Sequence, residues 1–173
     1  MLDIRRFQKN SPVPSRQSLE KTCAAINHNL KEMKTIVNRV SGSEELLPTA
    51  GKYQLLYVGS CLYDFYLLVE DCLLQIARTT DKWIPASLDW RARLIKLMQS
   101  PIAEKRPPVL SAATAYLLED YLVLFLNFHH QCSTFSYSRI KKMIDNLDLL
   151  YNQLEREFTG LTKILRPPDS KTL

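Results

Sequence analysis

The 173-residue chain is 46% apolar and 24% charged, ordinary for one globular domain and long enough to bury roughly 70% of its unfolded surface. Only four glycines occur and β-branched alternation is nowhere sustained, which excludes a sheet protein and makes the fold class all-α. Net charge is +5, with the basic excess in the first 41 residues; such a patch suits RNA or an acidic partner, although a solvated helix face explains it more simply.

Residues 1–14 mix charge with Pro12 and Pro14 and show no period, so they are expected to form a flexible leader. Ser15 or Ser18 can cap the first helix. Its apolar positions Leu19, Cys23, Ile26, Leu30, Met33, Val37 and Val40 alternate spacings of four and three, a bundle seam that ends at Gly42. His28 lies off the seam and is expected in solvent. After a linker at 43–48, Thr49 to Thr79 is apolar on almost every side, with one narrow polar stripe of Ser60, Asp64, Asp71, Gln75 and Arg78. Asp64, Glu70 and Asp71 argue against a membrane span, since each mid-bilayer carboxylate costs about 3 kcal/mol. This is the core helix.

Asp81 to Ala86 breaks the pattern, and Ser87 can cap a short helix with Leu88, Leu94, Ile95 and Met98 facing inward. Arg93 and Lys96 fall on the outer side, whereas Arg91 is in phase with the apolar set and must snorkel or find a partner. A basic, proline-bearing loop spans Pro101 to Pro108. Ser111 caps a helix running to about Gln131, Ser133 to Ser136 turn, and the last helix starts near Tyr137. Its seam of Ile140, Ile144, Leu147, Tyr151, Leu154, Phe158, Leu161 and Leu165 is unbroken, and Pro167 and Pro168 stop it. The expected architecture is an antiparallel up-and-down four-helix bundle with a short extra helix, one domain over 15–165 and a flexible tail at 166–173.

Cys23, Cys61, Cys72 and Cys132 show no CxxC spacing, and no secretory leader pattern opens the chain, so buried free thiols in a cytoplasmic protein are expected. No glycine-rich phosphate loop, HExxH, GxSxG or helical ExxH pair is present, and no cofactor is implied. The one unusual cluster is Asn127, His129, His130 and Cys132. As a metal site it lacks a matching pair elsewhere, so no metal is expected. Its histidines can instead carry protons near neutrality, although His129 also suits a packed, non-functional position among Leu122, Phe125 and Leu126.

The runs VGSCLYDFYLLVEDCLLQIA, SLDWRARLIKLM, RPPVLSAATAYLLEDYLVLFLNFHH and FSYSRIKKMIDNLDLLYNQLEREF, in that order, resemble the HepT-like family of the HEPN superfamily, encoded beside an MntA-type nucleotidyltransferase. The resemblance implies a metal-independent ribonuclease toxin acting as a homodimer, with the nucleotidyltransferase as antitoxin. It also implies a motif Arg that holds phosphate, a His separated from it by four to six intervening residues that moves a proton, and a Tyr two after the His that the partner adenylylates. Here His129 places Leu124, Val123 or Leu122 at the Arg position and Gln131 at the Tyr position. His130 places Phe125, Leu124 or Val123 and Cys132 there.

The resemblance thus implies His129 or His130 as the catalytic candidates, and Asn127 and Arg106 as candidate RNA contacts. The function expected is that of a toxin–antitoxin-type member that binds the nucleotidyltransferase and cleaves RNA weakly or not at all. The alternatives are an active ribonuclease that borrows an arginine, Arg106 first, and a bundle that only binds protein. The core helix is expected to touch every other long helix, the Tyr116–Phe128 segment to join a two-fold interface, and Leu124→Arg to restore the motif.

Overall fold

The computed structural model describes residues 14–41, 51–128 and 137–166. The expected leader up to residue 13, the 43–48 linker, the turn at 133–136 and the tail beyond 166 lie outside them. Among the described residues there are six α-helices and no strand, and no helix is long and apolar enough to cross a membrane.

Helix α1, Arg16–Ser41, starts where the Ser18 amide donates to Ser15 Oγ at 3.2 Å. Its seam is buried from Cys23 to Val40, Leu19 is partly buried, and His28 is exposed. Two polar side chains sit in the same interface. Thr22 and Thr79 share a hydroxyl–hydroxyl bond of 2.7 Å, and Asn29 Nδ2 donates to Asp71 at 2.9 Å. Buried polar groups are tolerated here because each has its partner.

Helix α2, Lys52–Ile76, is the core helix and continues as a π-helical turn, Ala77–Asp81. Thr79, Thr80 and Asp81 are buried in succession, which a single face of a regular α-helix does not allow. Lys82, at φ 56°, ends the helix in the left-handed region. Helix α3, Trp90–Met98, begins after a turn in which the Trp90 amide donates to the Ser87 carbonyl. Leu94, Ile95 and Met98 are buried as expected, but Leu88 is fully exposed. It precedes the first helical residue, so helical phase does not govern where it points.

Helix α4, Ala112–Phe128, is capped twice: the Thr114 amide donates to Ser111 Oγ, and Glu157 accepts from the Ser111 amide and Thr114 Oγ1. The single last helix expected from the seam is two, α5 (Tyr137–Asp145) and α6 (Leu147–Leu165). Asn146 interrupts them by donating its side-chain amide to the Lys142 carbonyl while its backbone amide reaches only three residues back, to the Met143 carbonyl at 3.3 Å. All eight seam residues are nonetheless buried, because the break falls between Ile144 and Leu147, three apart on either side of it.

The four long segments form a ring. Thr22 meets Thr79 and Asn29 meets Asp71, so α1 and α2 are antiparallel. The Cys23 thiol donates to the Thr162 carbonyl and Lys34 lies over Tyr151, so α1 and α6 are antiparallel too. Thr114 against Glu157 and Tyr121 against Met143 run the last helices opposite α4. Helix α2 packs chiefly on α1, α3, α4 and α5, while α6 packs on α1, α4 and α5 across the ring. The expectation that α2 touches every other long helix holds, the last one being met through its first part, α5.

Candidate functional site

The last turns of α4 are fixed by aromatic packing. Phe125 stacks on Tyr63 at 4.8 Å between centroids and 8° between planes, and meets Tyr66 at 5.2 Å. One turn earlier Tyr121 packs on Phe65 and donates its hydroxyl to the Met143 carbonyl at 2.8 Å, which satisfies the polar end of a buried ring. Asn127 is half-buried and donates back to the Val123 carbonyl four residues earlier. Its amide is thus engaged on its own helix. His129, His130, Gln131 and Cys132 lie outside the described residues.

The four positions at which a motif arginine would stand have structural occupations. Leu122, Leu124 and Phe125 are 8%, 3% and 9% exposed and belong to the hydrophobic core; only Val123, at 38%, reaches the surface. Leu124→Arg would therefore bury an unpaired cation, so Leu124 is not the place to restore the motif. Val123 fits the spacing to either histidine and is exposed.

Arg106 is not available to RNA. Its guanidinium and the Asp81 carboxylate are completely buried and joined by two bonds, Nε to Oδ1 at 2.8 Å and Nη2 to Oδ2 at 2.7 Å. Its remaining donors reach the carbonyls of Ser100, Pro107 and Leu97. The residue is an internal fastener between the π-turn and the proline-bearing loop.

A different arginine lies against the site. Arg91, at the start of α3, places its guanidinium 4.5 Å from the centroid of the Phe125 ring and 4.3 Å from that of Trp90. Its Nε donates to Glu70 Oε2 at 2.7 Å, and the two side chains are 27% and 9% exposed. Burial pushes the Glu70 carboxyl above its ordinary range, against the opposing pull of Arg91 and a hydrogen bond from Tyr66. Burial, then the Glu70 charge, likewise raises the Tyr66 phenol. Helical phase puts Arg91 among apolar positions, where it needs a partner, and Glu70 is a carboxylate inside an apolar helix. Nothing in the linear order joins them, because they are brought together by the fold.

Cys23, Cys61 and Cys72 are buried and free, and burial pushes the Cys72 thiol up to about 12.

A family model described as HepT-like protein matches residues 57–165, more than half of the chain and all of it from the second turn of α2 to the end of α6. The chain belongs to the HepT-like family. No curated protein and no solved structure matches it. In this HepT-like protein α1, which closes the ring, lies outside the matched segment. The family match and the helical ring bear out the resemblance read from the LYDFY, DWRARL and YSRI…LDLLYNQL stretches.

Proposed function

We propose that this HepT-like protein is the HEPN-type member of a toxin–antitoxin-type pair that binds an MntA-type nucleotidyltransferase and has little or no ribonuclease activity from the α4 motif. The observation that carries this reading is the use of Leu122, Leu124 and Phe125 as core residues, with Val123 the one exposed position, also apolar. Metal-independent RNA cleavage needs a cation on the phosphate beside a proton carrier. His129 or His130 supplies the second, and residues 122–125 supply no cation. Losing one such stabilising group typically slows the reaction about 100–1000-fold. Gln131 or Cys132 in place of the motif Tyr also removes the phenol that a partner would adenylylate.

A homodimer is part of the proposal. Tyr116, Val123 and Leu126 are exposed apolar side chains spaced seven and three along α4, a stripe on the outer face of that helix. Sedimentation at micromolar concentration should show a dimer, and a dilution-independent monomer would count against it.

Two assays test the functional reading. Co-purification of the tagged chain with an MntA-type nucleotidyltransferase should give a stable complex and no adenylate on Gln131 or Cys132. Incubation of the purified chain with RNA in a chelator should give cleavage at or near background. Metal-independent cleavage abolished by both His129→Ala and His130→Ala would overturn the inactive reading, and failure to co-purify would overturn the partner.

A further inference from the structure

We infer that the groove between α1 and α2 is the docking site of this chain's own basic leader, residues 1–13, laid back along α1. The inference goes beyond the partner and cleavage readings and rests on neither.

The groove has a volume of about 460 Å³. Ile36, Leu67 and Leu68 supply its apolar part, and Leu67 is 37% exposed. Around them stand three carboxylates, Glu32, Asp64 and Asp71, against one guanidinium, Arg39. Asp71 accepts from Asn29, whereas among the described residues Glu32, Asp64 and Arg39 make no ion pair. An acidic, part-apolar recess on a chain of net charge +5 is complementary to a segment that carries cations beside apolar side chains.

Residues 1–13, MLDIRRFQKNSPV, have that pattern. Arg5, Arg6 and Lys9 outweigh Asp3, and Leu2, Ile4 and Phe7 stand among them. No other segment outside the described residues does. Residues 42–50 carry Glu44 and Glu45 and no Lys or Arg, 129–136 carry no Lys or Arg, and 167–173 carry one Asp and one Lys.

Reach sets the register. At ~1.5 Å per residue, Glu32 lies about 24 Å along α1 from Arg16 and Arg39 about 35 Å. Asn29 meets Asp71, so Asp64, two turns back on the antiparallel α2, stands beside the middle of that span. An extended chain advances about 3.3 Å per residue, which takes Lys9 about 23 Å from Arg16 and Arg6 about 33 Å. Lys9 then comes level with Glu32 and Asp71, Arg6 with Asp64, and Phe7 with Ile36 and Leu67. Pro12 and Pro14 favour the extended backbone that this span requires. The same chemistry would suit a partner's basic segment, but the leader is tethered beside the groove at an effective concentration of about 1 mM. An intrinsic dissociation constant of roughly 100 μM would then keep the groove about 90% filled.

Trypsin cleavage of the full chain after Arg5, Arg6 and Lys9, followed by mass spectrometry, tests this, because the protease samples only the undocked leader. Cleavage should be about tenfold slower than in a synthetic peptide of residues 1–13, and about 1 M salt should abolish the difference. Glu32→Gln combined with Asp64→Asn should remove most of the protection. Arg39→Gln deletes the groove's own cation and should increase protection roughly two- to threefold, a gain that unfolding cannot produce. All three side chains are exposed, and melting curves confirm that each variant is folded. Carbodiimide coupling locates the contact: the Lys9 amine should form its amide with Glu32 or Asp71 rather than with Glu20, which lies nearer the root of the leader. Cleavage at the rate of the peptide, protection unchanged by loss of the two carboxylates, or coupling chiefly to Glu20 would overturn the inference. Protection that grows with chain concentration would overturn it too, by placing the leader on a second copy.

Discussion

Two arginine–carboxylate pairs tie later segments to the core helix, and they differ in what is left over. Arg106–Asp81 is completely buried, with each guanidinium nitrogen in a bond to carboxylate or carbonyl. Arg91–Glu70 uses one N–H, rests against two aromatic rings and stays 27% exposed on the cation side. Both look alike as ionic contacts. The count of engaged donors and their access to solvent separates a buried fastener from a pair that solvent reaches.

The strongest way to break the comparison is at the buried pair. Arg106→Met leaves the buried Asp81 carboxyl without its cation, with only the Thr80 hydroxyl still donating to it, and should cost about 3–5 kcal/mol in urea unfolding. Arg106→Met with Asp81→Leu removes both charges and should cost less than that single change. A double variant as unstable as Arg106→Met would mean that the loop carbonyls, rather than the ion pair, govern the site.

A third arginine can be introduced to sharpen the contrast between buried and accessible cations. Leu124→Arg should destabilise by several kcal/mol, because its site is 3% exposed and lies in the hydrophobic core, whereas Val123→Arg should stay within roughly 0.5 kcal/mol of wild type. Thermal melts check the stabilities, and RNA cleavage above background in Val123→Arg would show that a cation at that spacing was the missing component.

The smallest effect concerns pH at the half-exposed pair. The Glu70 carboxyl is held above its ordinary range, chiefly by burial, so the folded chain binds that proton more tightly than the unfolded chain does. Its contribution to stability therefore rises as pH falls through the raised value towards the ordinary carboxylate range, and levels off below it. Relative to Glu70→Gln, wild type should gain stability on acidification across that window. A wild-type advantage that shrinks instead would place the ion pair, not desolvation, in control.

What was legible in the chain follows from period. The four–three seams of α1 and the last helices, and the near-continuous apolar surface of α2, state which residues are buried, because helical geometry repeats along a regular element. Legibility failed where geometry is irregular or long-range. Leu88 belonged to a turn, Asn146 split a seam that remained in phase across the break, and the π-turn buried three consecutive residues. Arg106 is among the arginines nearest in sequence to the α4 motif, yet nearness in sequence does not reveal that Asp81, 25 residues away, faces it in the core. Arg91 was singled out by phase, but its carboxylate is 21 residues away on another element.

The contact between Cys23 and Thr162 has an architectural consequence. Because α1 and α6 are antiparallel neighbours, the start of the first helix and the end of the last emerge at one corner of the bundle. Residues 165 and 16 are therefore suited to a short covalent joint, and new ends opened in the exposed turn near Leu88 would preserve each helix and its neighbours. The ring, unlike a linear stack, has no intrinsic first member, so a circular permutant would keep its topology.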